Sequence, residues 1–208
     1  MKVGVVGAGN VGTALARRLV SAGHQVMLSF SLEEEKLRRA AQAFGARPGK
    51  PADAALFGDV VALAVPWSVV PEALKAAGSL DGKVLWDCTN ALKPDFSGLE
   101  VGTTSSGAET IARLAPKARV VKAIPPFAEL LHSDDPRIGG KAATTFLCGD
   151  DESAKALVRP LLEALPAEVV DTGPLENARY TEPAAFLLVR LAYGLRLGPR
   201  VGLSLLKG

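Results

Sequence analysis

Three glycines near the start of the chain have the spacing G-x-G-x-x-G, in the run Gly7-Ala8-Gly9-Asn10-Val11-Gly12. The run follows a buried-strand pattern and opens a helical one, which is the context in which this motif binds a dinucleotide. The first glycine permits a tight turn, the second lets the backbone approach a pyrophosphate, and the third lets the helix pack on the strand. Free amides at the helix start then attract the phosphates. We therefore predict that residues 7–12 bind a dinucleotide; the alternative is a strand–helix turn that uses glycine for packing alone.

The end of the second predicted strand indicates which dinucleotide binds. Sheets that prefer NAD place a carboxylate about 20 residues after the glycines, where it binds the ribose diol. This chain has Ser29-Phe30-Ser31-Leu32 there, followed by the basic run Lys36-Leu37-Arg38-Arg39. Because no carboxylate would repel a 2′-phosphate, we predict NADP(H), with Ser29 and Ser31 facing the adenine ribose. The alternative is that Ser31 only caps a helix and Glu33 binds the diol of NAD.

The carboxyl ends of three further predicted strands should complete the ligand site, since ligands of such sheets bind at that edge. These ends carry Val65-Pro66-Trp67, Asp87-Cys88-Thr89-Asn90 and Ala123-Ile124-Pro125-Pro126. They contain no Ser-His-Asp triad, no metal-ligand cluster and no close pair of carboxylates, so we predict no metal. Hydride transfer needs mainly two rings held close and shielded from water. We predict that Val65, Pro66 and Asn90 line the nicotinamide side of the site, and that Ala123, Pro125 and Arg179 lie towards the acceptor.

His132 and Arg179 are the candidates for a catalytic role, which the sequence otherwise leaves unassigned. His132 could line the acceptor site or transfer a proton near neutral pH; the alternative is a surface loop. Arg179 could anchor the acceptor or bridge two subunits; the alternative is a helical ion pair with Glu176 or Glu182.

Short apolar runs alternate with longer segments of helical period along the chain. We predict strands at residues 2–6, 26–28, 60–65, 84–87, 119–123, 144–148 and 169–171. We predict helices at residues 11–22, 32–44, 69–77, 106–114 and 149–165, and a long apolar helix at 175–197 with a kink at Pro183. Ser31 and Glu34 have the spacing of a capping box for the second helix.

This alternation requires crossover connections between parallel strands and helices on both faces of the sheet. We predict an α/β fold with a doubly wound, mostly parallel sheet of the Rossmann type over residues 1–148. Residues 149–208 are expected to form a small C-terminal part that completes the acceptor site and contributes a dimer contact.

Composition excludes several classes of protein. The chain has 208 residues, 48% of them hydrophobic, which is enough for a core but not for two full-sized domains. Its formal net charge is +2 and aromatics are 5%, so we expect no nucleic-acid partner. Apolar runs are too short to span a bilayer. With two cysteines, Cys88 and Cys148, a disulfide framework is not expected, and we predict a cytoplasmic protein without membrane association.

Six segments together resemble the coenzyme factor 420-dependent NADP oxidoreductase family: residues 7–12, 59–66, 82–90, 120–123, 148–151 and 173–180. That family is related to pyrroline-5-carboxylate reductases and to the cytosolic domain of membrane ferric reductases. The resemblance implies a Rossmann domain, a homodimer, and direct hydride transfer between the nicotinamide and the deazaflavin ring of coenzyme factor 420. Many relatives have arginine where this chain has Leu32, and deazaflavin-reducing relatives tend to have hydroxyls where it has Pro183 and Ala185.

Two other functions are left open by the sequence. An NADPH-dependent imine or carbonyl reductase, similar to pyrroline-5-carboxylate reductase, would need a proton donor, for which His132 or Thr181 is the candidate. A nonenzymatic dinucleotide sensor would bind NADPH tightly without turnover on any acceptor.

Overall fold

Strands and helices alternate along the chain in this computed structural model, which describes residues 1–31, 33–206 and 208. The strands are β1 (Lys2–Val6), β2 (Gln25–Ser29), β3 (Arg47–Pro48), β4 (Val60–Leu63), β5 (Val84–Asp87), β6 (Arg119–Lys122), β7 (Ala143–Gly149) and β8 (Ala167–Asp171). The helices are α1 (Asn10–Ser21), α2 (Glu34–Phe44), α3 (Pro51–Phe57), α4 (Val70–Ala77), α5 (Gly107–Leu114), α6 (Ala128–His132), α7 (Glu152–Glu163) and α8 (Ala178–Val189).

All eight strands form one sheet in the order β3-β2-β1-β4-β5-β6-β7-β8. The strands pair in parallel except β6 with β7, where Val121 lies opposite Gly149 and Lys122 opposite Cys148. The chain reverses its direction along the sheet after β3, so the order switches between β1 and β4. The doubly wound, mostly parallel sheet predicted from the sequence is confirmed.

The two faces of the sheet are covered by two separate apolar cores. One core packs α1, α2 and α7 on the sheet and includes Leu15, Leu37 and Leu161. The other lies beneath α4, α5 and the segment leading into α8, and includes Leu74 and Ile111. Burial on both faces explains why the parallel strands have nearly continuous apolar sequences.

Several predicted boundaries differ from the structure. Helix α2 begins at Glu34 after Glu33, and the Ser31 hydroxyl accepts a hydrogen bond from the Glu33 amide (3.2 Å), so the predicted capping box is wrong. The predicted helix start at Leu32 lies outside the described residues. The predicted helix at 175–197 is a 3₁₀ turn at Leu175–Asn177, then α8, then a π-helical turn at Arg190–Gly194.

Three short elements were not predicted: β3, α3 and α6. Strand β3 contains only two residues, and the helices α3 and α6 contain seven and five, which is too short for a clear helical period. The link between β6 and β7 contains α6 and returns the chain antiparallel, so it makes no crossover. The predicted boundary between residues 148 and 149 falls inside β7, and α7 and β8 continue the sheet beyond it.

Candidate functional site

The turn after β1 packs closely on the end of β4, and two glycines permit this. Gly7 has φ +127°, in a region that favours glycine, and a Cβ there would collide with the Ala64 carbonyl oxygen. A Cβ on Gly12 would collide with the Gly7 carbonyl oxygen. The Ala8 amide donates to the Phe30 carbonyl (3.1 Å), which joins the turn to the end of β2. The structure thus gives Gly7 and Gly12 the tight-turn and close-packing geometry expected of this motif.

Gly9 and Asn10 are exposed at the N-terminus of α1, and the space in front of Gly9 is open. A Cβ on Gly9 would meet no atom within 4 Å. The first helical hydrogen bond joins the Thr13 amide to the Gly9 carbonyl (2.9 Å), so the amides of residues 10–12 have no acceptor within the helix. No acidic residue lies in the first turn to neutralise the positive helix end. This loop therefore fits a pyrophosphate.

Ser29 and Ser31 differ in their surroundings. Ser29 is fully buried, and its hydroxyl donates to the Val5 carbonyl (2.9 Å). Its side chain therefore faces the core, and the prediction that Ser29 faces the adenine ribose is wrong. Ser31 is exposed after the end of β2. Leu32, the position at which many relatives have arginine, lies outside the described residues.

The basic residues of α2 are paired with acidic residues of the same region. Arg38 lies 2.6 Å from Glu34, and Arg39 lies 2.9 Å from Glu35, in both cases nitrogen to carboxylate oxygen. All four side chains are more than half exposed. Exposed pairs of this kind contribute little, about 0.3–0.5 kcal/mol, so either arginine can turn to a phosphate at small cost.

The ends of β1, β4, β5 and β6 lie side by side, as the strand order requires. They bring the glycine turn, Val65-Pro66, Asn90 and Ala123 to one edge of the sheet. Pro66 is exposed and Asn90 is half-buried, whereas Val65 is buried. Ala123 is fully buried, and its carbonyl accepts a hydrogen bond from the Trp86 indole (2.8 Å). It therefore lies beneath the surface of the site, and the prediction that it lines the site towards the acceptor is wrong. Pro125 is also buried.

A buried ionic cluster lies directly behind this edge. The Lys122 ammonium donates to the Asp87 carboxylate (2.9 Å), the Glu182 carboxylate (3.0 Å) and the Thr89 carbonyl (2.6 Å). The three charged side chains are at most 1% exposed. Burial lowers the pKa of Lys122, but the Asp87 and Glu182 charges outweigh it, so the pKa of Lys122 is raised overall. Lys122 is therefore a fixed cation and does not extend to solvent.

Glu182 links this cluster to two helices. It belongs to α8, and its carboxylate accepts hydrogen bonds from the first two amides of α5, those of Gly107 (2.8 Å) and Ala108 (3.0 Å). A carboxylate at a helix N-terminus is favourable, because it pairs with the positive end of the helix. The Glu182 carbonyl also accepts a hydrogen bond from the Asn90 side-chain amide (3.3 Å).

The structure places His132 beside the glycine turn. His132 is the last residue of α6, a helix rather than the polar loop predicted, and α6 packs on α1. Burial and the charges of Arg17 and Arg18 lower the pKa of His132, and the Glu129 charge and a hydrogen bond with the Asn10 backbone only partly offset this. His132 is therefore mainly neutral at neutral pH.

Arg179 lies on the other face of the sheet, so the structure does not bring it together with His132. Its guanidinium makes two hydrogen bonds to the Glu109 carboxylate (3.0 and 2.5 Å), which joins α8 to α5. The ion pair with Glu176 or Glu182 considered above is absent from the described contacts. The Arg179 hydrogen bonds lower the pKa of Glu109.

Two clefts in the described structure lie away from the glycine turn. One, of about 340 Å³, lies at the amino ends of β5 and β6, where Lys117 pairs with Asp81. The other, of about 480 Å³, lies around Glu109 and Arg179. Because ligands of doubly wound sheets bind outside the carboxyl ends of the strands, the glycine turn is the stronger candidate site.

The buried cluster formed by Asp87 and Glu182 with Lys122 was not predicted from the sequence. The signal for Asp87 is an acidic residue at the end of an otherwise apolar strand, with Lys122 at the end of the next strand. Such a pair is predictable when adjacent strands are assigned in register. Glu182 carries no comparable signal, because its partners are distant in sequence.

Comparisons with known proteins agree with this geometry. Residues 2–91 match the model of a family described as "NADP oxidoreductase coenzyme F420-dependent", which confirms the resemblance indicated by the sequence motifs. The predicted class, an NADP-dependent oxidoreductase, is the class of that family. The chain is also 29% identical over 183 residues to the metalloreductase STEAP3 of Rattus norvegicus, covering 87% of this chain. The chain spans 36% of the length of that relative.

Solved structures extend the likeness to the whole chain. A candidate F420-dependent NADP-reductase from Arthrobacter sp. FB24 is 29% identical, with a TM-score of 0.87 and complete coverage of both chains. A hypothetical protein from Sinorhizobium meliloti is 28% identical, with a TM-score of 0.77, covering 100% of this chain and 96% of the other. A reductive aminase from Aspergillus terreus, solved with NADPH, is 22% identical with a TM-score of 0.69 and shares the fold; the match covers 62% of the aminase chain.

Among the described residues, none of the helices has both the length and the apolar character needed to span a bilayer.

Proposed function

We propose that this chain, which resembles the coenzyme F420-dependent NADP oxidoreductases, transfers a hydride between NADP(H) and a second small molecule, the deazaflavin coenzyme F420. The observation that carries the proposal is the glycine turn, with its open space over Gly9 and three free helical amides. Residues 7–12 would hold the pyrophosphate, Ser31 the adenine ribose phosphate, and Pro66 and Asn90 the nicotinamide side. When bound, NADPH supplies the hydride.

The contribution of the protein is binding, orientation and exclusion of water. Transfer to a deazaflavin requires no obligatory acid or base from a side chain, in keeping with a site edge that offers mostly apolar and amide groups. Arg179 is held by Glu109 away from the glycine turn, which supports a structural or interface role for it rather than contact with the reacting rings.

The test is oxidation of NADPH by the purified protein with and without added coenzyme F420, after NADPH binding has been shown by fluorescence titration. Turnover that depends on the deazaflavin is the expected result. NADPH binding without deazaflavin-dependent turnover would refute the acceptor, and absence of NADPH binding would refute the whole proposal.

An NADPH-dependent imine or carbonyl reductase is the second candidate, and one observation favours it. The Thr181 hydroxyl, at the start of α8, is buried and has no hydrogen-bond partner among the described residues. It is adjacent to Glu182, whose carbonyl contacts Asn90, so it lies near the predicted nicotinamide side. Turnover of cyclic imines that is lost in Thr181→Val and retained in Thr172→Val would support this alternative.

We also propose that the chain forms a homodimer through its C-terminal segment. Large apolar side chains are exposed on α8 and beyond it, at Tyr180, Leu187, Tyr193, Leu195, Leu197 and Leu206. An apolar area of this kind on a small protein usually marks an interface. Light scattering should give the mass of a dimer, and Leu187→Glu should shift the mass toward that of the monomer.

The two cysteines are free and buried, which supports a cytoplasmic location.

A further inference from the structure

The buried ionic cluster fixes the two elements between which Asn90 lies. Lys122 is bonded to Asp87 and to the Thr89 carbonyl on one side, and to Glu182 on the other. The Asp87 carboxylate also accepts a hydrogen bond from the Thr89 amide (2.8 Å), which fixes the turn after β5. The end of β5 and the second turn of α8 are therefore bonded to the same ammonium group.

The carbonyl of Glu182 determines the orientation of the Asn90 amide. A carbonyl oxygen can only accept a hydrogen bond, so the amide group of Asn90 must present its Nδ2 to Glu182 (3.3 Å) and its Oδ1 in the opposite direction. Asn90 Oδ1 is buried and has no hydrogen-bond partner among the described residues. An unsatisfied buried acceptor is unfavourable, so a donor is expected at this point when the site is complete.

We propose that Glu182 is a positioning residue, whose anchored carboxylate holds Asn90 so that Oδ1 accepts a hydrogen bond from the carboxamide NH₂ of the nicotinamide. The inference rests on the proposed function, which places the nicotinamide at the end of β5. The carboxamide is the group of that ring that offers N–H donors. Glu182 acts through Asn90 and does not itself touch the ring.

The discriminating ligand is the 3-acetylpyridine analogue of NADP⁺, in which a methyl group replaces the carboxamide NH₂. Dissociation constants for NADP⁺ and for the analogue are measured by calorimetry on the full chain. The wild-type protein should bind NADP⁺ about fivefold more tightly than the analogue, as expected for one net hydrogen bond. In Asn90→Ala the ratio of the two constants should fall to about one.

Glu182→Gln should reduce the same ratio toward one, because a glutamine cannot accept from both α5 amides and also pair with Lys122. The matched control is Glu109→Gln, which removes the ion pair between Glu109 of α5 and Arg179 of α8 and should leave the ratio unchanged. A loss of stability alone would weaken binding of both ligands equally and would not change the ratio.

Retention of the wild-type ratio in a folded Glu182→Gln protein would overturn the positioning role. If that variant does not fold, the wild-type protein and Asn90→Ala still decide the question, since equal affinity of the wild type for both ligands would overturn the inference. Absence of NADP⁺ binding to the wild type would instead refute the proposed function.

Discussion

Gly9→Val is the change that best separates dinucleotide binding from folding. The structure shows open space at this position and an ordinary backbone, with φ −79°. Replacing glycine at this helix N-cap should therefore lower the free energy of unfolding by about 1 kcal/mol or less. For a domain of this size, that corresponds to a fall in Tm of about 2–4 °C.

Gly9→Val should weaken NADPH binding far more than it destabilises the fold. The valine side chain would occupy the space in front of the free amides of residues 10–12, where the pyrophosphate is expected. Each hydrogen bond to a charged group contributes about 1.5–3 kcal/mol, so loss of two amounts to about 3–6 kcal/mol. The affinity for NADPH should fall by at least about a hundredfold.

The assay is a fluorescence titration of NADPH alongside a thermal melt of each protein. Gly98→Val is the control, because a Cβ there also meets only distant atoms, the closest being the Lys93 side chain at 3.9 Å. The Gly98→Val protein should bind NADPH with the affinity of the wild type. A Gly9→Val protein that melts normally and keeps its NADPH affinity within about threefold of the wild type would refute the pyrophosphate assignment.

Three other predictions concern packing and titration. Gly12→Ala should destabilise the fold by about 1–3 kcal/mol in urea unfolding, because its Cβ would overlap the Gly7 carbonyl; unchanged stability would contradict the close contact between α1 and the glycine turn. Lys122→Met should lower the free energy of unfolding by about 3–5 kcal/mol, since it leaves two buried carboxylates without their cation. Because the pKa of Lys122 in the folded protein is raised above 10.5, its charge stabilises the wild type at neutral pH. This stabilisation should be lost as the pH rises through the folded-state pKa, and an equal loss of stability at alkaline pH in Lys122→Met would contradict the prediction. Burial raises the pKa of Cys88, and that of Cys148 to about 11, so neither thiol should react with a disulfide reagent at pH 8 until urea is added; rapid reaction in the native protein would show that they are accessible.

The local features of the fold were predictable because each depends on neighbouring residues. The apolar run at residues 2–6, the glycine motif and the helix after it give β1, the turn and α1 directly. The strand–helix alternation then leaves few arrangements of a parallel sheet. Strand β3 was missed because it has only two residues, and helix α6 because five residues are too few to show a helical period.

Side-chain direction at the site was predicted less well. Ser29 was expected at the ribose, but it ends a strand that is buried on both faces, and its hydroxyl bonds to β1. Ala123 was expected on the acceptor side of the site and lies beneath its surface. Alternation along a strand tells which residues share a face, but both faces of this sheet are buried, so the pattern does not distinguish a side chain at the ligand from one in the core.

The sequence alone determined the phosphate-binding turn and the class of fold, since both follow from glycine geometry and from a regular alternation of apolar segments. Only the tertiary structure revealed the cluster of Asp87, Lys122 and Glu182. Glu182 is 60 or more residues from each of its charged partners along the chain, and the polar atoms meet only after the sheet, α5 and α8 have packed. A buried charge is tolerated because partners surround it, and the choice of those partners is a property of the folded chain.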